Sequence, residues 1–600
     1  MSSKTISIGN AGGYWGDDPT ALERQVNGGK LDYITMDFLA EITMSIMQKQ
    51  KSKDQSLGYA RDFIGMLRPI LKKLLQDKTT IITNAGGINP LSCAQAIHAL
   101  GQELGESPKI AIVYGDDILT SINDLHKDGV AFTNMETGES FSEVADDIES
   151  ANIYFGAAPV VEALKWDPDI IITGRVTDTG ITMAAMIHEF DWALDDWDRL
   201  AHGIVAAHIM ECGTQSTGGN FTDWHLVPSF DKVGFPIVEA SEDGSFIVTK
   251  HSNTGGLVSV DTVREQLFYE MGNPKAYITP DVIADFSSIQ LEQAGPDRVK
   301  VFGIRGEAPT PLYKVSMAYE DGFKAIGSII ISGPNARAKA ETFAKILWDR
   351  LEGDFEERST EYVGWNACHR SLVQQEDGNE ILLRLGVRAK DEKTIRIFGK
   401  LVPSLILSGP PGVAVLGGVP RAQKVVSYWP ALMPKDIVHP NIALLKDGQI
   451  CEEKQVTNTA TGEFVPVEDC LVAESPKQTI GQSLAEQKDD WIPLGKLCLA
   501  RSGDKGDSAN IGVLARSEKI YEFLDGYLTA QKVKDLFQEL CFGKVTRYSL
   551  KNMNGFNFLL DQSLGGGGTK TLRIDAQGKT FAQALLRQRV PAPRELLDEL

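Results

Sequence analysis

Residues 169–180 read DIIITGRVTDTG: three isoleucines and a threonine run into a glycine that delivers Arg175 and Asp178. An unbroken apolar run of strand length that stops at a glycine is the mark of a strand covered on both faces, where no polar face is left to alternate. Three earlier segments repeat it: TISIGN at 5–10, TTIITN at 79–84 and KIAIVYG at 109–115. Longer helical patterns separate them, so the N-terminal part is expected to be an α/β domain with a parallel sheet between helices. One intervening helix is expected to bury Ala60, Phe63, Ile64, Leu67, Leu71 and Leu74, with Pro69 kinking or dividing it. Another is expected to begin near Tyr33, where Ile34, Phe38, Ile42 and Ile46 recur at steps of four.

Working outward, the pattern changes past residue 235. FPIVEASEDGSFIVTKH at 235–251 predicts a hairpin turning at Glu-Asp-Gly, VKVFGIRG and the run 313–333 predict further strands, and 336–351 predicts a helix. Residues 401–420, apolar but punctuated by Gly and Pro, are expected to form an irregular buried loop. Residues 474–490 are polar and charged and read as a linker. Beyond them lie strand patterns at 495–503, 510–515 and 544–550, an amphipathic helical stretch over 520–540, and a Gly565 to Gly568 run expected to be a hairpin loop. The division is therefore 1–235 as an α/β ligand-binding core, 236–473 as an α+β region completing the large domain, 474–490 as linker, and 491–600 as a small α+β domain.

Six hundred residues with 42 % hydrophobic and 24 % charged composition suit a multi-domain globular protein. The formal charge of -21 disfavours nucleic acid or an anionic membrane as partner. The opening MSSKTISIGN carries no apolar secretory core, and no apolar run approaches the ~20 residues that span a bilayer, so a soluble cytoplasmic protein is expected. Seven scattered cysteines without a C-x-x-C pair fit reduced thiols.

Two strands end in the same Asn-Ala-Gly-Gly: NAGGYWGDD after the first, NAGGINP after the third. Glycines at such turns let backbone N–H groups approach a phosphate or carboxylate, which makes Asn10, Gly12, Gly13, Asn84, Gly86 and Gly87 candidate substrate-binding residues. Parallel strands bring these turns to one sheet edge. The third such turn offers Arg175 to pair with a carboxylate or phosphate and Asp178 as base or metal ligand; the plainer reading is an ion pair pinning the loop. After an apolar helix, ECGTQSTGGNFTDW at 211–224 offers Glu211 as base, Cys212 as nucleophile or buried small hydrophobe, and Gly213, Gln215, Asn220 and Asp223 to orient substrate. His202 and His208, six residues apart, read as structural. RSGDKGDSAN at 501–510 crowds Arg501, Asp504, Lys505 and Asp507 onto a glycine-bearing loop suited to an anion or a metal-bridged phosphate, or else to a self-paired surface hairpin. No P-loop is present, and G-x-x-G-G-x-x-G from Gly9 is not a dinucleotide fingerprint, so neither NAD nor P-loop ATP chemistry is indicated.

Taken in order, NAGGYWGD, NAGGINP, TGRVTDTG, ECGTQSTGGNFTDW and ARSGDKGDSANIGV resemble the acyclic terpene utilisation (AtuA) family over nearly the whole chain. The resemblance implies an AtuA domain to about residue 450 and a ferredoxin-like domain from about 490. It also implies catabolism of branched or terpenoid acids through acyl-CoA intermediates. It assigns no catalytic residue. The leading expectation is lyase or hydratase chemistry on a small acid or CoA thioester. In it the Asn-Ala-Gly-Gly turns and Arg175 hold the substrate, and Asp178 or Glu211 moves the proton. The chain is expected to be a homo-oligomer whose ferredoxin-like domain closes the cleft or supplies the RSGDKGD loop across an interface. The alternatives are a non-catalytic partner of an acyl-CoA carboxylase and a divalent-metal enzyme using GGYWGDD and RSGDKGDS.

Overall fold

The computed structural model describes residues 4–373, 378–457 and 490–597. The expected linker lies outside them apart from Asp490. All four apolar runs are strands, in the chain order β1 (Thr5–Asn10), β2 (Tyr33–Met36), β3 (Thr80–Thr83), β4 (Ile110–Tyr114), β5 (Ile148–Ile153), β6 (Ile170–Thr173), β7 (Ile237–Ser241) and β8 (Phe246–Thr249). β1, β2, β3, β6 and β4 pair side by side in parallel at the centre of an 11-stranded sheet.

β2 corrects the helix expected near Tyr33. Its four residues are all buried between β1 and β3, and a run this short carries no period that separates strand from helix. Helix begins only at Glu41, as Glu41–Lys53. Pro69 divides its helix as expected, into Asp62–Leu67 and Leu71–Asp77.

The alternation along β6 shows how the sheet is covered. Ile170 and Ile172 pack with Leu22, Phe63 and Ile97, from helices Ala21–Gly28, Asp62–Leu67 and Pro90–Leu104 on one face. Ile171 packs with Ile181 and Ile204, from helices Asp178–Phe190 and Trp197–Glu211 on the other. The chain leaving β3 therefore turns to one face while the chain leaving its neighbour β6 turns to the opposite one. Adjacent strand ends that diverge open a crevice at the carboxyl edge, the place where open α/β sheets bind ligands.

The hairpin read at 235–251 is β7 and β8. It extends the same sheet antiparallel to β1, while Asn441–Lys446 and Gln449–Gln455 extend it beyond β4. A second sheet is built on the 21-residue strand Leu312–Ser332, which pairs with β5, Glu380–Ala389, Val413–Leu416 and Gln423–Pro434. The buried loop expected over 401–420 is corrected here. Helix Glu392–Ser404 occupies its start, the edge strand Val413–Leu416 follows, and Leu407 is 97 % exposed. Gly and Pro mark where the chain turns, not whether anything covers the turn.

The C-terminal domain is a four-stranded antiparallel sheet in the order Cys498–Lys505, Ser508–Ala515, Gly555–Leu560, Val545–Leu550, with helices Glu518–Tyr527, Ala530–Leu536 and Phe581–Leu586. The segment read as the RSGDKGDSAN loop is strand on both sides of a tight turn at Gly506, whose φ is +62°. The Gly565 to Gly568 run is not a hairpin loop: it follows the strand Gly555–Leu560 and begins the long connection to helix Phe581–Leu586. This domain docks on the segment after helix Val260–Leu267. Phe268 is fully buried in a seat made by two glycines, since a Cβ at Gly512 or Gly555 would lie 2.4 or 2.5 Å from its side chain. Beside it Arg501 pairs with the buried Glu265 at 3.0 Å, and Arg516 binds Asp223 through two bonds of 2.6 and 2.8 Å.

Emptying that seat leaves a cavity that paired strands cannot collapse around. Phe268→Ala should cost about 3–5 kcal/mol of stability. Chemical denaturation measures this, with limited proteolysis reporting earlier release of the C-terminal domain; a loss below about 1 kcal/mol would contradict the role given to Phe268.

Candidate active site

Carboxyl groups gather at the edge of the sheet where the turns after β2, β3 and β6 meet. Asp37, one residue beyond β2, is buried, and its Oδ1 accepts from Asn84 Nδ2 at 2.6 Å and from the Leu39 N–H at 2.9 Å. Asn84 in turn accepts from the Phe38 N–H at 2.7 Å, so the asparagine of the second Asn-Ala-Gly-Gly clamps the loop after β2. Gly86 is required by close approach: a Cβ there would stand 2.5 Å from the Thr173 carbonyl at the end of β6. Gly87 is buried beside it with φ +52°.

The first Asn-Ala-Gly-Gly turn corrects the anion-cradle reading. Asn10 accepts the Gly12 N–H at 3.0 Å and Asp17 accepts the Gly13 N–H at 2.9 Å, so these donors are satisfied within the turn. Its glycines serve contact instead. A Cβ on Gly13 would lie 2.7 Å from the Glu211 carbonyl oxygen and 2.8 Å from the Gly213 nitrogen. The loops near Gly12, Gly86, Arg175 and Gly213 thus gather at one edge, touching turn to turn.

Arg175 is 2 % exposed. It donates to the Leu39 carbonyl at 2.9 Å, pairs with Asp178 at 2.5 Å and lies over the Tyr154 ring at 4.1 Å. The guanidinium expected to grip a substrate carboxylate is therefore committed to holding Asp178. Asp178, first residue of helix Asp178–Phe190, is also hydrogen-bonded to Asp37. Burial raises both carboxyl groups against the pull of Arg175, and mutual repulsion together with Glu211 adds to the rise. The effect is larger for Asp178, which holds its proton well above the ordinary carboxylate range. Asp37, accepting two N–H donors, is the better anion of the pair.

Helix Trp197–Glu211 brings His208 and Glu211 to the same place, Nδ1 to Oε1 3.3 Å. His208 Nε2 lies 3.2 Å from the Gln266 carbonyl, and Nδ1 lies 3.4 Å from the Tyr277 hydroxyl. Burial pushes the Tyr277 hydroxyl up, and Glu211, Asp178, Glu270 and Cys212 all add to that, which places Tyr277 among them. The same causes, burial first and then Glu211 and Glu270, keep Cys212 a protonated thiol. His202 is structural as read, facing the Asp198 carbonyl and the Ile304 N–H. His208 was grouped with it, although its spacing of three from Glu211 on a last helical turn was the available signal. Tyr277 sits on a two-residue strand, Tyr277–Ile278, that no periodicity marks.

The C-terminal domain reaches this place within the one chain, through a residue outside the RSGDKGD loop. Lys579 Nζ bonds the Tyr269 hydroxyl and lies 3.4 Å from Glu270 and 3.8 Å from Asp504. Arg501 instead sits in the domain interface, and Lys505 is exposed. Gln215 and Asn220 lie on the rim, 3.4 Å apart, with Asn220 exposed, and Asp223 is held by Arg516. Among the described residues, no group of three or more His, Cys, Asp or Glu is disposed to hold a metal ion. No described helix is long and apolar enough to cross a membrane.

Because Asp178 binds its proton more tightly folded than unfolded, the native state carries a proton that the unfolded chain has lost above about pH 4. Stability is then lost as pH rises toward the folded pKa, by at most ~1.4 kcal/mol per pH unit. Asp178→Asn removes the contribution. Thermal unfolding from pH 4 to pH 8 should show the variant gaining on the parent chain as pH increases; a constant difference would refute the raised proton affinity.

The model of the acyclic terpene utilisation family protein AtuA matches residues 6–444, and that of the AtuA ferredoxin-like domain matches residues 492–591. No curated protein matches the chain. The first match takes in the parallel strands and every carboxyl group at their ends; the second takes in the docked domain and Lys579. With most of its length matched in this order, the chain belongs to the acyclic terpene utilisation (AtuA) family, which gives it a catabolic role linked to acyclic terpenes.

Proposed function

We propose that this chain is a catabolic enzyme acting on a branched or terpenoid acyl-CoA, or a related small acid, by lyase or hydratase chemistry at the crevice between β3 and β6. The observation that carries the reading is a proton-holding Asp178 in contact with the buried Asp37 and close to Glu211. Elimination of water or of a carbon fragment needs one group to give a proton and another to take one at a single place, and a carboxyl group that holds its proton beside further carboxyl groups offers candidates for both. In dehydration of a 3-hydroxyacyl thioester, Glu211 removes the proton beside the carbonyl. The electron pair forms the carbon–carbon double bond, and the hydroxyl leaves as water with the proton of Asp178. His208 stands beside Glu211 at 3.3 Å, with Tyr277 against the same ring nitrogen. Cys212, held as the thiol, has no covalent part. A purely non-catalytic partner subunit leaves the crowding unexplained, because buried like charges cost stability and return no packing.

The test is a panel of branched 3-hydroxyacyl- and 2-enoyl-CoA thioesters with the purified chain, following interconversion and cleavage. Asp178→Asn and Glu211→Gln should each lower turnover by about 10²- to 10⁴-fold without unfolding the protein. Uniform inactivity of the unaltered chain, with no binding of any member, would overturn the reading.

A further inference from the structure

We propose that Lys579 of the ferredoxin-like domain is the ammonium that receives the substrate oxygen that carries or develops negative charge, the carboxylate of a free acid or the thioester oxygen as the proton beside it is removed, an assignment that rests on the reading of the crevice given above. The argument begins with an inventory of charge. Glu211, Asp178 and Glu270 bring carboxyl groups around Tyr277, and Asp37 is hydrogen-bonded to Asp178, so an anionic oxygen needs a cation to enter. Arg175 is committed to the Leu39 carbonyl and Asp178. Arg501 is spent on Glu265, Gln266 and the Gly219 carbonyl. Lys579 is placed differently. Its side chain is 41 % exposed, its short bond goes to the neutral hydroxyl of Tyr269, and its carboxylate contacts are longer, a hydrogen bond of 3.4 Å to Glu270 and an approach of 3.8 Å to Asp504. An ammonium with three donors in that setting has capacity left for an incoming oxygen. Partial burial makes its proton easier to lose, and the nearby Cys212 opposes that loss.

The chain goes to some length to place it. The connection after the Gly565 to Gly568 run is fixed along the second sheet. Lys324 bonds the carbonyls of Thr569 and Thr571, Arg384 bonds that of Leu572 at 2.5 Å, and Glu361 accepts the Ile574 N–H at 3.0 Å. Asp575 then accepts the N–H groups of Lys579 and Thr580, both at 2.9 Å. Underneath, Gly503 makes room: a Cβ there would lie 2.7 Å from Tyr269 and 3.0 Å from Glu270. Glu270 itself holds φ +51°, uncommon for a residue with a side chain and concentrated at functional sites. A lysine serving only solubility needs none of these anchors.

The test uses the full chain with Lys579→Met and Lys579→Arg, measuring binding of the same thioesters and of their free acids by calorimetry, kcat and KM, the pH profile of kcat/KM, and thermal stability. Lys579→Met should weaken binding and raise KM by roughly 10- to 100-fold, the worth of one hydrogen bond to a charged group, with little change in unfolding temperature. Lys579→Arg should recover most of the loss and move the alkaline limb of kcat/KM upward, since guanidinium does not lose its proton in that range. The groups facing the amine, Tyr269, Glu270, Asp504 and Cys212, are unchanged in both variants. Turnover by the unaltered chain with Lys579→Met equal to it in KM and binding would overturn this assignment alone. Absence of both turnover and binding in the unaltered chain would overturn the reading of the crevice, and this assignment with it.

Discussion

The site depends on a shortage of positive charge at the carboxyl edge of the sheet. Asp37, Asp178 and Glu211 influence one another there, and Arg175, the guanidinium buried among them, is already bonded to the Leu39 carbonyl. One cation cannot balance three carboxylates in a low dielectric, so a proton must stay. Topology decides where: the turns after β2, β3 and β6 and the end of helix Trp197–Glu211 meet at one edge of the sheet, and their carboxyl groups crowd there. Asp178, one-third exposed at the start of its helix, meets both the buried Asp37 and solvent. Proton storage and access to a ligand thus have the same structural origin.

The docked domain is coupled to this charge arrangement through Gln266. Its carbonyl lies against His208 Nε2, its amide donates to the His208 carbonyl at 3.1 Å, and its Oε1 accepts from Arg501 at 3.3 Å. One buried side chain therefore touches the histidine beside Glu211 and the arginine that seats the C-terminal sheet. Two residues further, Phe268 enters the glycine seat, and then Tyr269 and Glu270 turn toward Lys579. The docking contact of the small domain and the contacts of His208 thus share one residue.

The sequence made the strands of the parallel sheet legible because doubly covered strands must be apolar throughout, and it made the edge carrying the site legible because those strands end in glycine. β2 escaped because Tyr33–Met36 is too short to show a period and the apolar residues beyond it happen to fall at steps of four. Asp178 and Glu211 could be picked out as candidates because each follows an apolar element directly. Asp37, Tyr277 and Lys579 could not. Each lies outside a glycine-rich motif, and each owes its place to a contact with residues far along the chain: Asn84 for Asp37, His208 for Tyr277, Tyr269 for Lys579. Lys579 lies ten or more residues past the glycine run, and its position follows from pairing with a sheet that begins before residue 150.

The glycine motifs carry a further lesson about which residues perform chemistry. A glycine-rich turn after a strand invites an anion when its N–H groups point outward. Here Asn10 and Asp17 fill those donors, and Gly13, Gly86 and Gly503 are small because a carbonyl, a backbone nitrogen or a tyrosine ring stands where a Cβ would be. The motifs are the joints by which loops from distant parts of the chain are pressed together. Pressing them together is what forces carboxyl groups from separate strands and helices into one another's fields. The polar residues within the motifs that hold the joints, Asn10, Asn84 and Arg175, are consumed in doing so, and the carboxyl groups on which the proposed chemistry rests are those the joints crowd: Asp37, Asp178 and Glu211.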